Sequence, residues 1–150
     1  MQGAVRVLIV ENHQLMRNGL HTLVSSNPAF EVVAAIADTG DALRTGLALA
    51  PHVVLMAPDQ SRAEGLGTIT RIKAQHPEIK IVALTFRRED YYVLAALEAG
   101  ADGYVLKDDC RAEILNALGS VASGTSYLSD GLRDTASNRS LAGTGTIPNN

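Results

Sequence analysis

Short apolar segments alternate along the chain with longer segments of helical periodicity. The apolar segments are rich in β-branched residues and predict five strands, at about residues 5–10, 31–37, 52–57, 79–85 and 103–106. Apolar residues recur at helical spacing over about residues 13–26, 41–50, 65–75, 89–99 and 111–123. Strands that are apolar almost throughout indicate a parallel sheet with helices on both faces. The pattern therefore predicts an α/β fold with a five-stranded, doubly wound parallel sheet.

The composition changes near the C-terminal end. From about Ser129 onward the chain is rich in Ser, Thr, Gly and Asn and loses its apolar periodicity. We predict one folded domain over residues 1–128, followed by a flexible tail or linker over residues 129–150.

Charge and cysteine content exclude several classes of function. The net charge of −3 argues against a nucleic-acid-binding surface within these 150 residues, because such surfaces need clustered Lys and Arg. No apolar run reaches the length of a membrane span, so we expect no membrane partner. The single cysteine, Cys110, excludes an internal disulfide and is typical of a cytoplasmic protein.

Candidate functional residues follow four of the predicted strands. In an open α/β sheet, ligands bind at the carboxyl ends of the strands, so the residues at these positions are the ones to examine. They are Glu11, Asn12 and His13 after the first strand, Ala57, Pro58 and Asp59 after the third, Thr85 and Phe86 after the fourth, and Lys107 and Asp108 after the fifth.

Three segments carry a family resemblance. The segments are Val7-Leu-Ile-Val-Glu-Asn-His13, Pro51-His-Val-Val-Leu-Met56, and the stretch from Val93 to Asp108 with the sequence VLAALEAGADGYVLKD. They are similar to the receiver domain of NarL/LuxR-type bacterial response regulators. The resemblance covers roughly residues 4–130. It implies a flavodoxin-like receiver fold in a two-component signalling protein. It also implies control of a C-terminal helix-turn-helix DNA-binding domain, which we expect to lie outside this chain.

The resemblance also implies a phosphoryl-transfer site with defined chemical requirements. A carboxylate after the third strand becomes an aspartyl phosphate. Two acids after the first strand hold Mg²⁺, which neutralises the developing charge. A hydroxyl and a lysine then bind the phosphoryl oxygens. In this chain, Thr85 and Lys107 match the hydroxyl and the lysine, and Tyr104 matches the aromatic residue that reorients on phosphorylation.

The acidic part of that site is degenerate. Glu11 replaces the first acid conservatively, Asn12 replaces the second, and Ala57 stands at the position of the nucleophile. A methyl group can neither attack phosphorus nor bind a metal. Pro58 and Phe86 at the pocket rim depart from the family pattern as well, and Phe86 occupies a position that is usually small. We therefore expect an atypical receiver with no catalytic residue, no cofactor and no bound Mg²⁺.

Simpler interpretations exist for several of these residues. Asp59 as a displaced phosphoacceptor is disfavoured, because two extended residues move a side chain ~6–7 Å away. With one carboxylate left, Lys107 can pair directly with Glu11 as a structural ion pair. For His13, packing or capping at the first helix is favoured over metal binding. For Cys110, an inert thiol is favoured over an activated one.

These observations lead to one main functional hypothesis and its alternatives. The main hypothesis is a phosphorylation-independent signalling and dimerisation module that regulates a helix-turn-helix transcription factor. Dimerisation is expected through the first and fifth helices, or through the face formed by the fourth helix, fifth strand and fifth helix. The alternative is a small-molecule sensor that uses the degenerate pocket around Ala57 and Thr85. A vestigial pocket with no ligand also remains open, whereas an enzyme is disfavoured.

Overall fold

Six strands and five helices alternate along the chain. The computed structural model describes residues 3–38, 40–58, 64–107, 111–129 and Leu132. The strands are β1 Val5–Val10, β2 Phe30–Ile36, β3 Val53–Met56, β4 Lys80–Thr85, β5 Gly103–Leu106 and β6 Tyr127–Leu128. The helices are α1 Gln14–Ser25, α2 Gly40–Leu47, α3 Glu64–Gln75, α4 Asp90–Ala99 and α5 Arg111–Ala122. In the part of the chain that the structure describes, no helix is long and apolar enough to span a lipid bilayer.

The strands form one parallel sheet in the order β2-β1-β3-β4-β5-β6. The chain moves outward from β1 to β2, then crosses back to β3 and continues to β6. This reversal beside β1 is the topological switch point at which open α/β sheets bind their ligands. The doubly wound, flavodoxin-like fold predicted from the sequence is confirmed.

A separate apolar core covers each face of the sheet. On one face, α1 and α5 bury residues such as Leu20 and Leu118 against alternate strand residues, including Val7 and Ile9. On the other face, α2, α3 and α4 pack against the intervening strand residues. Because β3 lies in the middle of the sheet, all four of its residues are buried, which explains why it is apolar throughout.

The structure differs from the sequence prediction in one helix boundary and in the number of strands. The second helix ends at Leu47 rather than residue 50, because Ala50 has a φ of 56° in a turn that leads into Pro51. The sheet has six strands rather than five, since the two-residue strand β6 pairs with β5 and is too short to give a periodic signal.

The predicted tail also differs at the residues where it can be compared. Ser129 and Leu132 were assigned to the flexible tail, yet both are buried in the domain. Residues 130, 131 and 133–150 lie outside the described residues, so the remainder of the proposed tail stays a prediction.

Candidate functional site at the carboxyl edge of the sheet

Four adjacent strands bring the candidate residues to one edge of the sheet. Strands β1, β3, β4 and β5 are neighbours and run parallel, so their carboxyl ends meet. The Ala57 N–H donates to the Val10 carbonyl at 2.9 Å, and the Lys107 N–H donates to the Thr85 carbonyl at 2.8 Å. These bonds extend the strand pairing past the strand ends and fix the relative positions of the four residues.

A buried ion pair joins the first and fifth strands. Lys107 Nζ lies 3.0 Å from Glu11 Oε1, and the two side chains are 6% and 2% exposed. This pairing was predicted from the sequence, because Asn12 and Ala57 provide no second acid to compete for the ammonium group. Removing either partner would leave a buried charge without compensation.

The second carboxylate oxygen of Glu11 is also engaged. Glu11 Oε2 accepts the backbone N–H of His13 at 3.0 Å and lies 3.3 Å from His13 Nδ1. The Arg17 guanidinium donates to the Glu11 carbonyl at 2.7 Å. Glu11 Oε2 is therefore hydrogen-bonded within the protein, whereas Oε1 has the Lys107 ammonium as a charge partner without a hydrogen bond. The His13 side chain contributes to this local structure.

Asn12 tightens the neighbouring loop. Its side-chain oxygen accepts the backbone N–H of Asp38 at 2.6 Å, so it joins the residues after β1 to those after β2. Burial raises the pKa of the Asp38 carboxyl above its ordinary value, and the positive charge of Arg71 partly opposes this shift. Asn12 therefore has an internal structural partner.

Ala57 and Pro58 form an apolar wall at the end of β3. Both residues are buried, and Ala57 is 7% exposed. The Ala57 side chain is a methyl group, which offers neither a nucleophile nor a metal ligand. This position is the centre of the candidate pocket, because β3 lies between β1 and β4.

Thr85 and Tyr104 are linked through the backbone of Arg87. The Arg87 N–H donates to Thr85 Oγ1 at 3.0 Å, and the Tyr104 hydroxyl donates to the Arg87 carbonyl at 2.7 Å. Tyr104 is fully buried and meets Tyr92 edge to face, with ring centroids 6.5 Å apart. Burial raises the pKa of the Tyr104 phenol well above its ordinary value, because the phenolate would be poorly solvated there.

Aromatic side chains lie at the rim of the pocket. Phe86 is 50% exposed, and Lys107 Nζ lies 5.4 Å from the centre of its ring. Tyr91 is 65% exposed and accepts a hydrogen bond from the Arg87 guanidinium at 2.7 Å. Phe86 therefore extends the apolar lining outward and contacts the lysine from the solvent side.

The described residues at this edge do not fit Mg²⁺. Mg²⁺ prefers an octahedron of oxygen ligands that includes one or two free carboxylates. Here Glu11 is paired with Lys107 and His13, Asn12 is bonded to Asp38, and Ala57 has no donor. Among the described residues, no three His, Cys, Asp or Glu side chains group as metal ligands.

The structure adds residues that sequence reasoning did not assign to the site. Arg17, Asp38 and the backbone of Arg87 hold the pocket residues in place, and no spacing pattern marks them because their contacts depend on how the loops fold. Asp59, Asp108 and Cys110, which the sequence analysis considered, lie outside the described residues.

Comparison with known proteins identifies the family. The profile of the response regulator receiver domain matches residues 7–119. The chain belongs to this family. Receiver domains of response regulators are signalling modules, and the relatives place this one in the NarL/LuxR type. GacA of Pseudomonas viridiflava is 36% identical over 126 residues, which are 83% of this chain and 58% of the relative. The nitrate/nitrite response regulator homologue of Haemophilus influenzae is 32% identical over 136 residues, 89% of this chain and 64% of the relative.

Solved receiver structures agree with this assignment. A LuxR-family response regulator from Aurantimonas superposes with a TM-score of 0.83 at 27% identity, over 93% of this receiver and 99% of that chain. The NarL receiver domain from Mycobacterium tuberculosis gives a TM-score of 0.74 at 29% identity, over 82% and 99% of the two chains. This receiver spans 58% to 64% of the length of the curated relatives cited above.

Proposed function

We propose that this receiver is an atypical one that signals without forming an aspartyl phosphate. The observation that carries the proposal is Ala57, which stands at the end of β3 where the family's chemistry requires a carboxylate nucleophile. Its backbone is held in the regular strand pairing by the bond to Val10, so its methyl group takes the place of that carboxylate.

The Glu11–Lys107 pair supports the same proposal. In phosphoryl transfer, a lysine stabilises charge that develops on the phosphoryl oxygens, so its ammonium must be able to reach them. Here the ammonium is buried against Glu11 at 3.0 Å. The Lys107 ammonium compensates the negative charge of Glu11. In a receiver with a full set of acids, a metal ion compensates the carboxylate charges instead.

A calorimetric Mg²⁺ titration tests the proposal. We expect no sub-millimolar binding to the natural chain, because the Glu11 carboxylate is neutralised by Lys107 and neither Asn12 nor Ala57 offers a second carboxylate. The matched variant Asn12→Asp/Ala57→Asp restores two carboxylates, whose mutual repulsion of about 4 kcal/mol at ~4 Å favours cation binding. Sub-millimolar binding to the natural chain at this edge would contradict the proposal.

We further propose that the receiver acts as a homodimer and controls a DNA-binding domain. One relative is named the transcriptional regulatory protein MctR of Rhizobium johnstonii, and one solved structure shows RcsB dimers bound to DNA. The RcsB likeness, at 20% identity, supports the fold, whereas the role in transcription is inferred from the curated relatives. The relatives extend well beyond the length that this receiver covers, which leaves room for such a domain.

The structure favours α1 and α5 over the other predicted dimer face. Both helices pack on the same face of the sheet, and Leu15 on α1 is 86% exposed. By contrast, β6 pairs with the outer edge of β5 and occupies part of the face formed by α4, β5 and α5. The exposed Leu15 side chain provides apolar area that a second receiver could bury.

The small-molecule alternative would use the degenerate pocket around Ala57 and Thr85. Two cavities of about 480 and 450 Å³ are lined entirely by described residues. One lies at the amino edge of the sheet near His52, and the other lies between α2 and α3 near Leu43. Neither is lined by Ala57, Thr85 or Lys107. A thermal-shift screen with metabolites tests this alternative, because a ligand that binds only the folded state raises its midpoint.

A further inference from the structure

The residues that follow α5 return to the outer edge of the sheet. We name Tyr127, Leu128, Ser129 and Leu132 the exit segment. We propose that this segment is a conformational reporter of the degenerate pocket: it is docked on β5 while the Glu11–Lys107 pair is intact and loosens when that pair is broken. The exit segment takes no part in phosphoryl chemistry, and the proposal rests on the ion pair itself rather than on the absence of phosphorylation.

Ser129 is the centre of the docking contact. Its side chain is fully buried, and its Oγ accepts the backbone N–H of Leu106 at 2.9 Å. Its own N–H donates to the Tyr104 carbonyl at 3.0 Å. The Ser129 hydroxyl therefore accepts a β5 backbone N–H at the end of the short β6 pairing. Without it, the buried N–H of Leu106 would lose its partner.

Flanking residues hold the segment on both sides of Ser129. Tyr127 and Leu128 pair with Gly103 and Tyr104 in the strand register, and the Tyr127 hydroxyl donates to the Glu113 carboxylate on α5. Leu132 is 4% exposed, and its N–H donates to the Ser129 carbonyl at 2.9 Å.

Leu132 also shares an apolar core with the pocket's inner residues. The cluster that buries it includes Tyr92, Tyr104 and Leu106. The exit segment is thus joined to β5 by backbone bonds and to the core beneath the pocket by side-chain packing. Both contacts depend on where β5 and Tyr104 lie.

The same strand holds the pocket from its other side. Tyr104, whose carbonyl accepts the Ser129 N–H, donates its hydroxyl to the Arg87 carbonyl beside Thr85. Leu106 immediately precedes Lys107, whose ammonium pairs with Glu11. A displacement of either pocket residue moves the backbone to which the exit segment is bonded, because packed interiors transmit small shifts.

The segment has the features of a unit that opens locally. Its strand is two residues long and lies at the sheet edge, where β5 is the strand with which it pairs. Such elements unfold at a lower free energy than central strands do. Breaking a pocket contact can therefore release the segment while the rest of the sheet remains folded.

Hydrogen exchange on the 150-residue chain tests the docking contact first. Ser129→Ala removes the acceptor of the Leu106 N–H, and we expect exchange at Leu106 and across the exit segment to rise about tenfold. Ser123→Ala is the matched control, because that exposed hydroxyl donates only to the nearby Ser120 carbonyl. Equal exchange at Leu106 in Ser129→Ala and Ser123→Ala would overturn the docking contact.

The coupling is tested with Glu11→Gln/Lys107→Met, which removes the ion pair without leaving an uncompensated buried charge that would strongly lower the global stability. Exchange of β1 amides such as Leu8 reports global unfolding, since β1 lies inside the sheet. We expect exchange of the exit segment to rise about tenfold more than that of β1. If the two rise together, or if the exit segment does not change, the proposal is wrong. No phosphoryl donor or metal is used, so this outcome is independent of the Mg²⁺ titration.

Discussion

Glu11 Oε1 and Lys107 Nζ lie 3.0 Å apart at the carboxyl edge of the sheet, with both side chains almost fully buried. They join β1 to β5 across the end of β3, where Ala57 provides only a methyl group. A buried pair of this kind is expensive to desolvate, and it persists only when its geometry is good and its remaining atoms are satisfied. Here Glu11 Oε2 meets that condition through the His13 N–H.

Breaking this pair from one side is expected to destabilise the fold. Glu11→Gln or Lys107→Met leaves one buried charge uncompensated, and we expect each to lower the free energy of unfolding by about 3–5 kcal/mol. Urea unfolding followed by far-ultraviolet circular dichroism measures this change.

The double variant Glu11→Gln/Lys107→Met is the control for that prediction. Because it removes both charges, it should be less destabilised than the sum of the single changes, with a coupling energy of about 1–3 kcal/mol. Strict additivity would mean that the two groups do not stabilise each other.

Gly100 ends α4 in a conformation that L-residues rarely adopt. Its φ is 121°, and an added Cβ would lie 2.6 Å from Lys73 Cγ. Lys73 cannot move away easily, because its ammonium donates to the Ile79 carbonyl at 2.9 Å and pairs with Asp102 at 3.2 Å. We expect Gly100→Ala to destabilise the domain by about 1–3 kcal/mol, as measured by chemical unfolding.

Gly19 provides the matched comparison. It lies inside α1, and an added Cβ would meet nothing within 4 Å. Gly19→Ala should stabilise the domain by about 1 kcal/mol, because alanine is the better helix former. Similar losses of unfolding free energy in Gly100→Ala and Gly19→Ala would show that the positive φ and the crowding at Gly100 do not cause the destabilisation.

Tyr104 should make the fold sensitive to alkaline pH. Burial raises the pKa of its phenol in the folded state, so the unfolded chain loses this proton first, at about pH 10. The stability that Tyr104 contributes is complete below that pH. It is then lost by up to about 1.4 kcal/mol per pH unit as pH rises toward the folded-state pKa.

The variant Tyr104→Phe isolates this effect. It loses the hydroxyl bond to Arg87, so it should be about 1 kcal/mol less stable at neutral pH. Between pH 9 and 11, roughly spanning the ordinary tyrosine pKa, the difference from the natural chain should shrink in urea unfolding curves. A stability difference between the two proteins that stays constant over this pH range would contradict a raised pKa of Tyr104 in the folded state.

Leu15 tests the proposed dimer face. Its side chain is 86% exposed on α1, so a charge there should not disturb the core. We expect Leu15→Glu to weaken dimerisation at least about tenfold in sedimentation analysis, because an interface would have to bury the charge. Leu49→Glu, at a leucine that is 40% exposed after α2, should leave dimerisation unchanged. Equal effects of Leu15→Glu and Leu49→Glu on dimerisation would show that α1 does not form the interface.

The sequence predicted the parts of the fold that rest on long periodic patterns. All five helices and the five longer strands were recognised, because each presents several apolar residues at one spacing. Strand β6 and the buried Ser129 and Leu132 were missed. Their burial follows from pairing with the outer edge of β5 and from the hydrogen bond that the Leu106 N–H donates to Ser129, which are properties of the folded sheet.

The candidate site was predictable to a similar extent. Parallel strands bring their carboxyl ends together, so the proximity of Glu11 and Lys107 follows from the strand order. The hydrogen-bond partners of Asn12 and Thr85 could not be predicted from the strand order. Their partners are backbone N–H groups of Asp38 and Arg87, whose positions are set by loop conformation rather than by residue type.

Incubation with acetyl phosphate and Mg²⁺, followed by intact-mass spectrometry, shows whether this receiver forms an aspartyl phosphate. A receiver with a full set of acids serves as the positive control. We predict that the mass of this chain does not change, because Ala57 has no nucleophile and Lys107 is paired with Glu11. A stoichiometric increase by one phosphoryl group that disappears on unfolding the protein before incubation would contradict it.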